Sequence, residues 1–198
     1  MKGRIIFLLE EKSMKALLDS FLPRVFSGWM EGQHFLCVPH EGKTDLEKSF
    51  PRKLKAWSIP NDRFVIVRDN DAGDCKLLKN RFMNLAKSNG RSDSLVRIIC
   101  QELESWYFGD LIALAAAFDK PSINSQPNRK RFSDPDRLIK PSNEIKRLLP
   151  TFQKLGGARN LAEHLNINEN TSCSFNAFFS GVARLAIEMG YKAKTLDH

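Results

Sequence analysis

Three aspartates lie within six positions near the middle of the chain. Asp69, Asp71 and Asp74 follow a short apolar run over residues 64–67, and a glycine lies between the last two. Carboxylates this close together repel one another at neutral pH, and a bound cation removes that repulsion. Mg²⁺ prefers hard oxygen ligands and often takes one or two carboxylates together with water and phosphate. The spacing therefore predicts a magnesium site, with Mn²⁺ as the alternative ion.

The same three aspartates also have an interpretation that needs no metal. Polar turns commonly follow strands, and aspartate is a favoured N-cap for the helix that comes next. Asp74 would then cap a helix that continues through Leu77, Phe82 and Leu85. The Asp-x-Asp pattern alone does not separate a metal site from a capping turn, so the remainder of the chain has to decide.

Short apolar runs alternate with segments of helical periodicity through the first part of the chain. Each apolar run is typical of a buried strand, and the order strand–helix is repeated. The runs cover residues 4–9, 34–38, 64–67 and 95–100. This order predicts an α/β fold with a mainly parallel four-strand sheet and helices on both faces.

The pattern changes after residue 118. Residues 119–133 are polar and carry two prolines, which predicts a linker or loop. Short helical patterns follow, over residues 134–139, 142–149, 157–165 and 174–189. We therefore divide the chain into an α/β domain (1–118), a linker (119–133) and a small C-terminal helical region (134–198) that packs on the domain.

Several acids come just after predicted strand ends. They are Glu10, Glu41, Asp69, Asp71 and either Glu102 or Glu104. In parallel α/β sheets, ligands bind at the carboxyl ends of the strands, so these acids are expected on one rim. Two residues span about 200° around a helix, so only one of Glu102 and Glu104 is expected to face the site. The sequence does not decide which of the two glutamates faces the site.

A basic stretch lies between the second and third apolar runs. Its members are Lys43, Lys48, Arg52, Lys53 and Lys55. One interpretation is a track for the phosphate backbone of a nucleic acid beside the acidic rim. The other is an ordinary solvated helix face. The formal net charge of +8 and the pI of about 9.4 agree with a polyanionic partner, and they agree equally with a basic protein that has none.

Composition narrows the class of protein. The chain has 198 residues, 42% of them hydrophobic, which is enough for a well-packed domain. No apolar run is long enough to cross a bilayer, and the run over residues 5–9 is too short for a signal-peptide core. The four cysteines are far apart and lack metal-ligand spacing, so Cys37 and Cys100 are interpreted as reduced core residues of a cytoplasmic protein without a membrane partner.

Two segments resemble a known domain family. Ile5-Ile-Phe-Leu-Leu-Glu10 and Val65-Ile-Val-Arg-Asp69-Asn-Asp71 resemble the TOPRIM domain, which occurs in topoisomerases, bacterial primases, recombination-mediator proteins and overcoming-lysogenization-defect (OLD) nucleases. The chain as a whole, including the segments over residues 102–106 and 152–158, looks like an uncharacterised bacterial TOPRIM-like family. Members of that family are encoded near ATPases in defence regions.

The resemblance implies a Mg²⁺-dependent nuclease that works with an ATPase partner in antiphage defence. Glu10, Asp69 and Asp71 would hold one or two metal ions, with Asp74 and Glu104 as further candidate ligands. Lys154 is similar to the lysine that OLD nucleases place near their metals, and an exposed lysine in a turn is the alternative. The expected nucleic-acid contacts are Lys43, Arg52, Lys53 and Lys55.

The sequence also departs from the TOPRIM pattern. Glu11 and Met14 stand where TOPRIM proteins usually carry a glycine and often another acid. This departure favours an alternative function, a non-catalytic nucleic-acid-binding or regulatory module of an ATPase complex. A primase-like transferase is a third hypothesis, but no zinc ribbon or separate polymerase region is evident. Trp106 and Tyr107 are expected in a helix core, with base stacking as the alternative.

Overall fold

All four strands of the sheet run parallel. The structure, a computed structural model, describes residues 2–191. The strand order is β2-β1-β3-β4, so the first and third strands lie at the centre. The strands are β1 (Ile5–Leu9), β2 (Phe35–Pro39), β3 (Arg63–Asp69) and β4 (Leu95–Ile99). The predicted α/β class with a mainly parallel four-strand sheet is confirmed, and the sheet is parallel throughout.

Strand β3 continues further than the apolar run predicted. The run ends at Val67, but the pairing with β4 includes Arg68 opposite Ile98 and Asp69 opposite Ile99. Ladder hydrogen bonds therefore hold the first aspartate of the acidic segment in extended backbone. Glu10 follows β1 directly, and β1 pairs with β3 over its whole length. The carboxyl ends of the two central strands thus present Glu10 and Asp69 at the same edge.

Helices cover both faces of the sheet. In chain order they are α1 (Lys12–Val25), α2 (Lys43–Ala56), α3 (Cys75–Ser88), α4 (Glu104–Phe108), α5 (Leu111–Ala117), α6 (Gln126–Arg131), α7 (Pro141–Leu148), α8 (Lys154–His164) and α9 (Cys173–Glu188). Helix α2 continues through Pro51, although a proline ordinarily ends or bends a helix. Buried Leu46, Phe50 and Leu54 lie on both sides of that proline, and their packing keeps the segment helical despite the missing N–H.

Alternate residues of the strands point to opposite faces of the sheet and belong to two separate hydrophobic cores. Leu8 and its neighbours on that face pack under α2 and α3, where the rings of Phe50 and Phe82 stack with centroids 5.0 Å apart. Phe7 faces the other way, and its ring centroid lies 6.1 Å from that of Phe178 in α9. This alternation is the period-two pattern of a sheet that is buried on both sides.

The segment 119–133 is not a plain linker. It contains a 3₁₀ turn at Pro121–Asn124 followed by α6, and Ile123 and Phe132 are buried. The ring of Phe132 lies 4.4 Å, centroid to centroid, from that of Phe108. The segment is polar overall, so its composition did not indicate that these two apolar side chains pack in the core.

The C-terminal helices share the larger core with the sheet. Leu161 of α8 and Phe178 of α9 belong to the same buried cluster as Phe7 and Val65. The predicted helix over residues 134–139 is a 3₁₀ turn at Pro135–Arg137. The end of the predicted C-terminal region, residues 192–198, lies outside the described residues. None of the helices within residues 2–191 is both long and apolar enough to span a bilayer.

Candidate functional site

Glu10 and Asp69 meet at the carboxyl edge of the sheet. The backbone N–H of Asp69 donates a hydrogen bond to Oε2 of Glu10, 3.2 Å away. The same oxygen lies 3.6 Å from Nε of Arg68, and Arg68 also pairs with Glu47 at 3.2 Å. Burial raises the pKa of Glu10 to about 7, the charge of Asp71 adds to that rise, and Arg68 opposes it. The two acids are therefore neighbours, as the strand order predicted.

Asp69 is deeply buried at the rim. Its Oδ1 is buried without a hydrogen-bond partner in the part of the chain that the structure describes. Burial raises its pKa well above the usual range, and the charges of Glu10, Glu11 and Glu104 raise it further. A carboxylate in such a place is costly unless a positive charge joins it.

Glu104, and not Glu102, faces this cluster. Glu104 begins α4, is 2% exposed, and has an Oε2 atom that no hydrogen bond from residues 2–191 reaches. Burial raises its pKa to about 7. Glu102 instead accepts a hydrogen bond of 2.7 Å from the backbone N–H of Ser142, which anchors the start of α7. The alternative that the sequence left open is resolved by these contacts.

Lys154 is the basic residue of the cluster. It begins α8, and its Nζ lies 3.1 Å from Oε2 of Glu11 and 3.9 Å from Oε1 of Glu104. Burial alone would lower its pKa, but the charges of Glu104 and Glu11 outweigh burial, so the pKa of Lys154 is raised. Sequence positions 11, 104 and 154 are distant, and the packing of α8 against α1 and α5 brings them together.

Sequence reasoning missed the contacts of Glu11 in the site, and it placed Tyr107 only in the helix core. Glu11 was treated only as a departure from glycine, yet its backbone is extended (φ −142°), so the turn does not need a glycine there. Its carboxylate accepts from Lys154 and from the Ser13 hydroxyl. Tyr107 lies one turn after Glu104, and burial, together with the charges of Glu104 and Glu11, raises the pKa of its phenol. The available signal for Glu11 was its position beside Glu10.

The other residues near the site that the sequence singled out lie in the core or on the surface. Trp106 and Tyr107 are both buried, which confirms core packing over base stacking. The indole N–H of Trp106 donates to Ser174 Oγ at 3.0 Å. Met14 lies in the larger core, and Glu41 is exposed and pairs with Lys12.

Asp71 and Asp74 differ from Asp69 in their surroundings. Asp71 is exposed in a left-handed turn (φ 49°), and its Oδ2 lies 2.9 Å from Nζ of Lys43. Asp74 is the N-cap of α3, and its Oδ1 accepts from the backbone N–H groups of Lys76 (2.7 Å) and Leu77 (3.0 Å). Asp74 therefore has the capping role that the sequence proposed as the alternative to metal binding.

Replacing Asp74 should lower the stability of the fold without changing stabilisation by Mg²⁺. We expect Asp74→Ala to lower the free energy of unfolding by about 1 kcal/mol, because the first turn of α3 loses its cap. Urea unfolding would measure this loss, and Asp74→Ser should restore most of it. A variant that keeps its stability but loses stabilisation by Mg²⁺ would contradict the capping role.

The basic residues of α2 lie at and beside the acidic rim. Lys43 pairs with Asp71, and Nζ of Lys53 lies 2.8 Å from Nε2 of His40, which follows β2. Burial lowers the pKa of His40, and the nearby charge of Lys53 contributes. Arg52 and Lys55 are exposed. The predicted phosphate track thus starts at the rim and continues along one helix.

The donor chemistry of the cluster fits a hard divalent cation. Asp69 Oδ1 and Glu104 Oε2 are buried carboxylate oxygens without hydrogen bonds from the described residues. Among residues 2–191, however, no three His, Cys, Asp or Glu side chains already stand in an arrangement that could hold a metal ion. The acids nevertheless act on one another: the charge of Asp71 raises the pKa of Glu10, and the charges of Glu10, Glu11 and Glu104 raise the pKa of Asp69.

Comparison with known proteins places this fold in a family. The chain belongs to the family described as Domain of unknown function (DUF4276), which matches residues 9–183. In three dimensions it is similar to the C-terminal region of the Burkholderia pseudomallei OLD protein, with a TM-score of 0.55 and 15% sequence identity. The match covers 93% of this chain and 99% of that one. No curated protein matches the sequence.

At this level of identity the likeness shows a shared fold. The chain is therefore a member of an uncharacterised family that is related in fold to the OLD protein, as the resemblance in sequence predicted. The acidic rim at the carboxyl ends of β1 and β3 is the part of that fold in which parallel α/β proteins bind ligands.

Proposed function

We propose that this protein is a metal-dependent nuclease of the TOPRIM type, which hydrolyses phosphodiester bonds in DNA or RNA. The observation that carries the proposal is the cluster of buried acids around Asp69 and Glu104 at the carboxyl edge of the sheet. Burying carboxylates with raised pKa values opposes folding, and such groups concentrate at functional sites. The position beside Lys154 adds the positive charge that a phosphate substrate requires.

Each residue of the cluster has a role in this proposal. Glu10, Asp69 and Asp71 would hold Mg²⁺ or Mn²⁺, with Glu104 as a further ligand. An ion bound there would supply a water of lowered pKa and positive charge beside the phosphoryl oxygens. Lys154 would contact a non-bridging oxygen of the phosphate, and Glu11 orients the Lys154 ammonium through their 3.1 Å contact. The exposed basic residues of α2 would bind the flanking backbone of the nucleic acid.

One observation favours a different function. Lys154 already pairs with Glu11 and approaches Glu104, so the cluster is partly neutralised by the chain itself. The alternative is a non-catalytic module that binds nucleic acid or regulates an ATPase. In both versions we place the protein in the cytoplasm beside an ATPase in antiphage defence, and the resemblance in sequence is the support for that placement.

A cleavage assay separates the two functions. The purified protein is incubated with plasmid DNA, single-stranded DNA and RNA, each with Mg²⁺, Mn²⁺ or EDTA, and with and without an ATPase encoded beside its gene. We expect cleavage that depends on the metal. A protein that is stabilised by Mg²⁺ but cuts none of the three substrates, even with the ATPase, would favour the regulatory module.

Binding of nucleic acid should depend steeply on salt and on α2. Phosphate contacts release counterions, with a slope of about 0.9 in log affinity against log salt for each contact on duplex DNA. We therefore expect the double variant Arg52→Glu, Lys55→Glu to reduce the slope by about 2. Fluorescence anisotropy at several salt concentrations measures the slope.

The matched control changes the same charge elsewhere. Lys87 at the end of α3 and Arg184 on α9 are exposed, and the double variant Lys87→Glu, Arg184→Glu should keep the wild-type slope. Equal losses in both double variants would show a general charge effect, and the proposed track along α2 would be wrong.

A further inference from the structure

We propose that Cys75 and Cys100 form an oxidisable dithiol, a modification site beside the acidic rim at which a peroxide produces an intramolecular disulfide. The two sulfur atoms lie 3.8 Å apart although 25 positions separate them in the sequence. Cys75 begins α3, and Cys100 directly follows β4. The inference concerns these thiols alone and does not require nuclease activity.

One side chain holds the two cysteine segments in place. The amide nitrogen of Asn70 donates to Sγ of Cys75 at 2.9 Å and to the carbonyl of Gly73 at 3.0 Å. Its carbonyl oxygen accepts from the backbone N–H of Gln101 at 2.7 Å, next to Cys100. Asn70 is itself buried, and its backbone N–H donates to the carbonyl of Ile99 at 3.0 Å. The proximity of the sulfurs is therefore fixed by a hydrogen-bonded framework.

The surroundings distinguish this pair from the other cysteines. Cys75 and Cys100 are both half-buried, so a small oxidant can reach them. Cys37 is buried in the larger core, and Cys173 is exposed at the start of α9. The prediction that Cys100 is a core residue is thus only partly correct, because its side chain remains in reach of solvent. Site-selective oxidation depends on such access and on thiolate character. Burial raises the pKa of Cys100 to about 12, so Cys100 is assigned the second step, in which its sulfur displaces the sulfenic oxygen.

The chemistry balances with a peroxide as the oxidant. One thiol loses its proton, the thiolate attacks a peroxide oxygen and the O–O bond breaks, so that a sulfenic acid forms and the departing hydroxide takes up the proton as water. The second sulfur then displaces the sulfenic oxygen, which leaves as water, and the S–S bond forms. Two thiols thus lose two hydrogens and two electrons, and hydrogen peroxide is reduced to two waters. The sulfurs have to approach by about 2 Å, because an S–S bond is about 2.05 Å long.

The disulfide would connect two segments that carry acids of the rim. Cys75 at the start of α3, directly after residues 70–74, would be joined to Cys100, which begins the segment that leads to Glu104. The latter segment is anchored by the hydroxyl of Ser105, which donates to the carbonyl of Cys100 at 2.8 Å. The bond would therefore restrain the loop between β3 and α3 relative to the segment that positions Glu104.

Thiol counting and peptide mapping test the proposal on the folded protein. After treatment with hydrogen peroxide under native conditions and alkylation of the remaining thiols, we expect the free thiols to fall from four to two. Mass spectrometry should identify a single linked pair of peptides, with Cys75 in one and Cys100 in the other, and dithiothreitol should reverse the link. Cys75→Ser and Cys100→Ser should each abolish it, and Cys173→Ser should preserve it.

Three outcomes would overturn the proposal. They are a thiol count that stays at four, a link that involves Cys37 or Cys173, and separate irreversible oxidation of Cys75 and Cys100. The wild-type result decides the matter even if one serine variant fails to fold. Hydrogen exchange is the second readout: the amides of residues 70–75 should exchange more slowly in the oxidised protein than in the reduced protein. Equal exchange in the two forms would refute the proposed restraint of the loop.

Discussion

Asp69→Asn is expected to lower the proposed cleavage and Mg²⁺ binding by more than the roughly 10- to 100-fold that the loss of an outer-shell partner costs a metal site, while the fold remains intact. Asp69 is held at the end of β3 by the ladder with β4, so the asparagine keeps the same backbone. The variant removes a negative charge from a position where the other acids already repel one another. The melting temperature without metal should therefore stay the same or rise.

The measurement compares melting temperatures with and without Mg²⁺ beside the cleavage rate. Asp71→Asn should also reduce metal binding and cleavage, and the comparison shows how much an exposed ligand that pairs with Lys43 contributes. The matched control is Asp119→Asn, an exposed aspartate in left-handed backbone (φ 46°) after α5. Asparagine tolerates that backbone well, so the control should behave as wild type. Equal stabilisation by Mg²⁺ in wild type and Asp69→Asn would exclude Asp69 as a ligand.

Most of the fold could be predicted because local patterns coincide with packing. The continuous apolar runs at residues 5–9 and 64–67 become central strands that are buried on both faces. The errors arose where tertiary packing overrides a local signal. Pro51 lies inside α2 because the neighbouring turns are buried, and the polar segment 119–133 is ordered around Ile123 and Phe132.

The site could be predicted only as far as the strands that carry it. Glu10 and Asp69 follow from the rule that ligands bind at the carboxyl ends of parallel strands. Glu11, Tyr107 and Lys154 are brought together by the packing of α8 against α1 and α5, and no local sequence pattern encodes that packing. The choice between Glu102 and Glu104 depended on the same geometry, since α7 provides the backbone N–H that engages Glu102.

The pH dependence of stability tests the burial of Glu104. Folding raises the pKa of the Glu104 carboxyl from its ordinary value of 4.5 to about 7. The folded state therefore binds the carboxyl proton more tightly than the unfolded chain does. The resulting stability is fully present below pH 4.5 and is lost as the pH rises to about 7. The glutamine in Glu104→Gln does not titrate, so the variant does not lose this stability as the pH rises. Relative to wild type, the metal-free variant should therefore gain up to about 3 kcal/mol of unfolding free energy between pH 4.5 and pH 7, and the difference should level off above that.

Urea unfolding in EDTA at intervals from pH 4 to pH 8 measures the difference between Glu104→Gln and wild type. The subtraction matters because other groups titrate in the same range. Glu10 acts in the same direction as Glu104, whereas the lowered pKa of His40 acts in the opposite direction, and both are present in the two proteins. Glu163→Gln, at an exposed position on α8, is the matched control and should follow the wild-type slope. Parallel curves for Glu104→Gln and wild type would show that folding does not raise the pKa of Glu104. The case for a cation beside Glu104 would then lose its electrostatic basis, because the cost of burying a charged carboxylate, which the cation is proposed to offset, would be absent.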